Sequence, residues 1–402
     1  MSAPAKFSEV LEPAATDHFF DSIWGQTMLH VQGEKGRFAN LLPWHSLNRL
    51  LSQHRLEPPR LRLALDGKMI PSDSYIQTVR NRLGREIPIM LGARLTEKLR
   101  EGATLILDDI DEMYEPIGVL ATDMEHVFHE RVHANAYAGW YKTHGFDLHW
   151  DDHSVFVLQV AGRKHWAVYG AARPHPLRHD SQKNDVPPPT PVWEGILNDG
   201  DVLYLPRGWW HVATPVSEPS LHLTFGINSR TGIDLLEWVT QQMRAIEAFR
   251  MDLPRFASEE AVLTHINILK ASLFKSWDDQ ILNRYFNDYD SQRLPRTHVS
   301  FPWSVSPEVL PASDDAAIRW IVASEIKISD DKSGGIAFGA HGMTWQLPQF
   351  AKGLLLRVMD GRRYTINQLC DDMDQPFDRN AVRLILGQLV LAGLVIVVDA
   401  TD

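Results

Sequence analysis

The chain has a single cysteine, Cys370, among its 402 residues. That count excludes an intrachain disulfide and a cysteine-rich zinc or iron–sulfur site, and it fits a reducing, cytoplasmic setting. No stretch reaches the ~20 apolar residues needed to cross a bilayer. Met1 to Glu12 holds one lysine but no apolar core of signal-peptide length. The expectation is a soluble protein without a membrane partner. Low-complexity tracts and exact repeats are also missing, and intrinsic disorder is excluded with them. Positive charge is in short supply: 40 Lys and Arg against 51 Asp and Glu leave a formal net charge of −11. This argues against a nucleic-acid channel over much of the surface and is compatible with a basic protein or peptide partner.

What is present is ordinary globular material, 44% hydrophobic and 23% charged. At roughly 150 residues per domain, the length predicts two or three domains, with a sizeable core in at least one. From about 16 to 130 the chain reads as a mixed platform or lid. It opens on a helix capped at Thr16-Asp17, with Phe19, Phe20, Ile23 and Trp24 on one face. Asn135 to about Asn228 reads as short strands with turns. Ser154–Val160 and Lys164–Tyr169, joined by Ala161-Gly162-Arg163, suggest a hairpin. Val202–Leu205 follows the turn signal Asn198-Asp-Gly-Asp201, and Leu221–Gly226 returns after it. Several short antiparallel strands predict a barrel or jelly roll. The proline-rich stretch Lys183–Pro191 reads as an extended loop between strands, bordering the mouth of a site. From Gly232 to about Tyr289, Leu235, Leu236, Val239, Met243 and Ile246 recur at helical spacing. The last ninety residues alternate helices and strands, ending in Ala381–Val390 and Leu394–Val398, and suggest a small winged-helix-like domain.

Residues i and i+2 of a strand share a face, so His149-Trp150-Asp151 can present an imidazole beside a carboxylate. His211, after Pro206-Arg-Gly-Trp-Trp210, is placed to complete the set across a barrel. Two histidines and one carboxylate on one face of an octahedral iron leave positions open for a cosubstrate and O₂. With eighteen histidines in the chain, roughly one or two chance matches to His-x-Asp/Glu are expected, so context must supply the weight. Lys164 gives some. It follows the turn after the strand that leads from the metal pair, where its ammonium can enter the barrel and pair with a dicarboxylate. The bland alternative is a solvated hairpin lysine.

The surroundings resemble a known family, the JmjC-domain ribosomal oxygenases, across nearly the whole chain. The opening His18–Gln26 and Leu29-His-Val31 look like that family's first helix and strand. The central match runs through Asn135-Ala-Tyr137, Gly145-Phe146, His149-Trp-Asp-Asp152, Val155–Gln159 and Gly162–Trp166. Gly200–Gly208 and His211 fall in the pattern around its distal metal ligand. The resemblance implies a mainly β core with α additions: a double-stranded β-helix of jelly-roll or cupin type over residues 1–230, a helical dimerisation domain over 231–300, and a winged-helix-like domain over 301–402. It implies that His149, Asp151 and His211 bind Fe(II), that Lys164 pairs with the far carboxylate of 2-oxoglutarate, and that Asn135, Tyr137 and, by a looser match, Thr224 line the cosubstrate pocket. It also implies a homodimer. The activity implied is O₂-dependent hydroxylation of an amino-acid side chain, arginine or histidine of a ribosomal protein. Trp140-Tyr141-Lys142, where prolines and glycine are usual, and the bulky Trp209-Trp210 depart from the pattern. They leave a natural-product peptide or a free amino acid open as substrate, and a non-catalytic interaction module is the rival from another class.

Other signals compete. His129-Glu130-Arg-Val-His133 satisfies H-E-x-x-H, which on a helix would bind zinc. No third ligand follows at peptidase spacing, so the stretch reads as the helix leading into the barrel. His153, His165 and His222 read as packing residues, with His222 near enough in pattern to touch a cosubstrate. Trp150, Trp166, Trp209 and Trp210 read as barrel packing, the last two also as pocket wall. Lys352, Arg357, Arg362, Arg363, Arg379 and Arg383 suggest DNA binding in isolation. The acidic residues among them, including Asp371-Asp372, favour a packing or interaction role.

Overall fold

The computed structural model describes residue 4 and residues 6–182, 186–371 and 378–398. Residues 183–185 of the proline-rich stretch and Asp372 lie outside the described residues. The chain forms two compact units, Met1–Ser229 and Arg230–Asp402.

Apart from a separate two-stranded pair, Ile76–Arg80 with Glu86–Met90, the first unit is built on two larger antiparallel sheets. Their strands are β1 (Leu29–Val31), β2 (Leu61–Leu65), β3 (Lys68–Met69), β4 (Thr104–Leu107), β5 (Val132–Gly139), β6 (Ser154–Ala161), β7 (Lys164–Ala171), β8 (Trp193–Leu197), β9 (Val202–Leu205), β10 (Trp209–Pro215) and β11 (Ser220–Ile227). Eight of them form one sheet in the order β1-β9-β6-β11-β5-β4-β2-β3, and β8-β7-β10 form the other. The period of two explains both faces of the large sheet. Ala134, Ala136 and Ala138 of β5, Phe156 and Leu158 of β6 and Leu223 and Phe225 of β11 turn outward into a core shared with the N-terminal segment. Val155, Val157, Leu203 and Leu205 turn inward against Trp166, Val168 and Leu197 of the smaller sheet. The space between the sheets is where the site lies.

Two expectations are corrected here. The helix Thr16–Ser22 begins on Ala15 with no side-chain cap. Packing holds it instead, with the Phe19 ring 5.0 Å from Tyr204 and 5.5 Å from Phe156. Secondly, β6 and β7 are not a hairpin: β6 pairs with β9 and β11, and β7 with β8 and β10. Both edges of β6 are already taken, so the chain crosses to the other sheet at Gly162 (φ +66°), where an added Cβ would lie 2.0 Å from the Pro219 carbonyl oxygen. Only glycine makes that crossing without displacing the neighbouring backbone.

In the second unit the helical stretch is observed as Gly232–Met243, Glu247–Arg250, Glu259–Ser276 and Ile281–Gln292. Leu235, Val239 and Met243 pack on Ile281 and Tyr285, whereas Leu236 is exposed. The C-terminal part has a sheet ordered Arg363–Thr365, Ala317–Trp320, Val395–Val398, together with helices Ala351–Val358, Ile366–Asp371 and Arg379–Leu391. Arg379 and Arg383 are engaged with Asp314 by ion pairs of 2.8 and 2.7 Å.

Candidate metal centre

His149 and Asp151 lie between β5 and β6, outside any strand, so the expected strand face does not bring them together. A single antiparallel bridge does. His149 N–H donates to the His211 carbonyl at 3.1 Å, and His211 N–H donates to the His149 carbonyl at 2.7 Å. Gly208 N–H donates to the Asp151 carbonyl at 2.9 Å. Gly208 takes φ +83° in the turn before β10, and an added Cβ there would meet the Pro176 ring at 2.4 Å. A register irregularity between Trp210 and His211 then aims the imidazole inward.

One ligand atom from each of His149, Asp151 and His211 lies within 4.8 Å of the others. His211 Nε2 is 3.6 Å from Asp151 Oδ2, and the two imidazole centroids are 4.5 Å apart. Each Nδ1 is already engaged, His149 with the Asp147 carbonyl at 2.7 Å and His211 with the Trp209 carbonyl at 2.9 Å. A carbonyl only accepts, so each Nδ1 carries the proton and each Nε2 presents its lone pair. Burial, reinforced by His149, holds His211 well below the usual histidine range. Burial opposes ionisation of Asp151, but the neighbouring imidazoles prevail and keep its carboxyl below the ordinary value. His211 and Asp151 are therefore held deprotonated near neutral pH, the state that a divalent cation requires. Two imidazoles and one carboxylate suit non-haem Fe(II).

The inner faces of the sheets carry the other expected residues. Asn135 and Tyr137 on β5 stand in register with Thr224 and His222 on β11. Asn135 Oδ1 accepts the Asp109 N–H at 3.0 Å, which fixes its amide. The Tyr137 ring stacks on His222 at 4.9 Å, and burial pushes its phenol well up. Lys164 begins β7, so it projects inward on the same face as Trp166 and Val168. It is 5% exposed, which removes the solvated-hairpin reading. Burial alone pulls its ammonium down to about 7, and among the described residues no carboxylate pairs with it.

The competing signals separate cleanly. The helix Glu115–Phe128 ends before His129, which takes φ +52°, and His133 already belongs to β5, so H-E-x-x-H never lies on one helix. His165 pairs with Glu194 at 3.1 Å and His153 with Asp152 at 3.0 Å. Trp140 packs on Trp44, and Tyr141 and Lys142 are exposed. Trp209 joins the inner core and lends its carbonyl to His211. Trp166, read from sequence as packing, and His222, read as packing that could also touch a cosubstrate, both lie buried on the inner faces of the sheets. Their period-two spacing from Lys164 and Thr224 was the available signal.

The JmjC domain description matches residues 113–235, the stretch that holds all three donors. Residues 113–235 thus match a JmjC domain. It is 30% identical over 241 residues to the bifunctional lysine-specific demethylase and histidyl-hydroxylase NO66 of Aedes aegypti, covering 58% of this chain and 36% of that one. The Drosophila persimilis counterpart is 28% identical over 222 residues, covering 54% and 31%. The chain thus spans about a third of the length of these curated relatives. Among solved structures, the ribosomal oxygenase YcfD of Escherichia coli superposes with a TM-score of 0.61 at 16% identity, covering 96% of this chain and 99% of that one. The YcfD complex with cobalt and 2-oxoglutarate gives 0.62 at 15% identity, with the same coverage. The JmjC fold therefore extends to an architecture shared along nearly the whole chain.

Proposed function

We propose that the chain is an Fe(II)- and 2-oxoglutarate-dependent oxygenase that hydroxylates an amino-acid side chain in a protein or peptide. The observation that carries this is the His149/Asp151/His211 set together with a buried lysine on β7, the strand paired with the one that bears His211, that has no counter-ion among the described residues. A buried uncompensated ammonium costs stability unless a ligand supplies the anion. A dicarboxylate cosubstrate supplies it. Bound Fe(II), 2-oxoglutarate and O₂ would together supply oxidative decarboxylation to succinate and CO₂, with insertion of the second oxygen atom into a C–H bond. His149 and His211 would hold the metal through Nε2 and Asp151 through its carboxylate. Lys164 would receive the far carboxylate, with Asn135, Tyr137 and Thr224 lining the same space. The inward apolar residues Val155, Val157 and Leu203 exclude water from it.

Arginine or histidine of a ribosomal protein is the first substrate to test. The NO66 relatives are named as histidyl-hydroxylases and the YcfD structures as a ribosomal oxygenase. Anaerobic titration with Fe(II) and 2-oxoglutarate, followed by O₂-dependent succinate release, should show turnover in the wild type and none in His149→Ala or Lys164→Ala. A wild type that binds neither ligand overturns the reading and restores the non-catalytic module. Ribosomal proteins from a deletion strain should then lack one hydroxylation; if none is lost, a peptide natural product or free amino acid becomes the substrate class.

We further propose that 231–300 forms a homodimer contact and 301–402 a winged-helix-like domain, in a cytoplasmic protein. Among the described residues no helix is long and apolar enough to cross a membrane. Support for the dimer comes from Leu263, Phe274, Leu282 and Phe286, all exposed on the helical segment. Light scattering that gives the monomer mass across a wide concentration range overturns it.

A further inference from the structure

The closed end of the pocket holds more polar atoms than the Lys164 pairing uses. Trp166 Nε1 and His222 Nδ1 are both buried with no hydrogen-bond partner among the described residues. The two side chains are 4% and 3% exposed. Leaving an indole N–H and an imidazole nitrogen buried and unsatisfied is costly, because each has lost its water without gaining a partner, which makes such a pair uncommon in a core without a ligand. Both belong to one cluster. Trp166 is two residues along β7 from Lys164, on the same face, and its ring lies 5.7 Å from His222 at 77°. His222 stacks on Tyr137 and senses the Lys164 charge.

The polarity of the cluster selects its occupant. An ammonium and an indole N–H are donors on one inner face of β7, and the imidazole packed against that indole, with no acceptor on Nδ1, can add a third. An anion with several lone pairs matches that set, and a carboxylate has about four acceptor positions. Gln159 adds one acceptor of the opposite sign: its Nε2 is spent on the Ala161 carbonyl and Ser220 Oγ, both at 3.0 Å, and its buried Oε1 is without a partner among the described residues.

Resting on the cosubstrate reading above, we propose that Trp166 Nε1–H and His222 Nδ1–H bind the far carboxylate of 2-oxoglutarate together with Lys164. These two side chains thereby discriminate a dicarboxylate from a simple 2-oxo acid. Neither residue holds the metal, so their contribution falls on cosubstrate affinity.

The test uses the full chain loaded anaerobically with Zn(II), and compares 2-oxoglutarate with pyruvate, which keeps the 2-oxo acid and lacks the far carboxylate. In ¹⁵N spectra the Trp166 indole N–H, assigned through its own backbone connectivity, should shift on adding 2-oxoglutarate and stay in place with pyruvate. By calorimetry, Trp166→Phe and His222→Phe should each raise the Kd for 2-oxoglutarate about tenfold, the loss of one hydrogen bond to a charged group, and leave that for pyruvate and for Zn(II) unchanged. An indole signal that ignores 2-oxoglutarate, or responds equally to pyruvate, overturns the proposal even if a variant fails to fold. A wild type that binds 2-oxoglutarate while both variants keep its Kd sinks this assignment and leaves the oxygenase reading standing. A wild type that does not bind 2-oxoglutarate sinks both.

Discussion

His149 and His211 exchange both of their backbone hydrogen bonds, at 3.1 and 2.7 Å, although β6, β7, β8 and β9 all lie between them in the chain. The pairing makes the metal set a consequence of register. A one-residue slip of β10 would turn His211 to the other face and carry Gly208 away from Asp151.

Asp151→Asn keeps the shape of the carboxylate and removes its charge, so Fe(II) affinity should fall by more than about 100-fold. In the wild type, metal at about 100 times its Kd should raise Tm by about 5–10 °C. The variant should show no such rise at the same concentration in a thermal melt. An equal rise in both proteins would remove Asp151 from the ligand set.

Lys164→Met should make the protein more stable and unable to bind 2-oxoglutarate. The buried amine is pulled down to about 7 from the unfolded value of 10.5, so between those pH values the unfolded chain holds more protons. Wild-type stability therefore gains, relative to Lys164→Met, as pH rises from about 7 to about 10. Urea denaturation at pH 7 and pH 9 measures that gain. A difference between the two proteins that does not change with pH would show that Lys164 is not buried as a charge.

The same titration governs affinity with the opposite sign. The charged form receives the carboxylate, so the Kd for 2-oxoglutarate should rise about fivefold between pH 7 and pH 8. Pyruvate, with no far carboxylate, should not follow it. Parallel pH dependence for both acids would place the titrating group at the metal instead.

Gly162→Ala should lower stability by about 2–4 kcal/mol, since a Cβ 2.0 Å from the Pro219 carbonyl oxygen adds a clash to the cost of φ +66°. Chemical denaturation measures it. A loss under about 1 kcal/mol, the cost of a permissive glycine site, would show that the crossing between the sheets has room to adjust.

Much of this architecture is written in local chemistry. Alternation along Ala134–Ala138 and Val155–Leu158 marks sheet faces, because successive side chains point to opposite sides wherever the strand pairs. The turn signal Asn198–Asp201 delimits β9, and the threefold and fourfold spacing from Leu235 to Met243 marks a helix. His149, Asp151 and His211 are legible as a candidate metal set because few residue types ligate a cation, but the strand face expected from their spacing is absent and an isolated bridge between His149 and His211 brings them together instead. Pairing partners are not local. β6 and β7 read as a hairpin because the intervening turn permits one, yet β9 and β11 fill both edges of β6 and send the chain across to the other sheet. Nor can spacing reveal burial. Trp166 and His222 become buried side chains with unpaired nitrogens, and Lys164 a buried amine without a counter-ion, only once the opposite sheet closes over them and removes water.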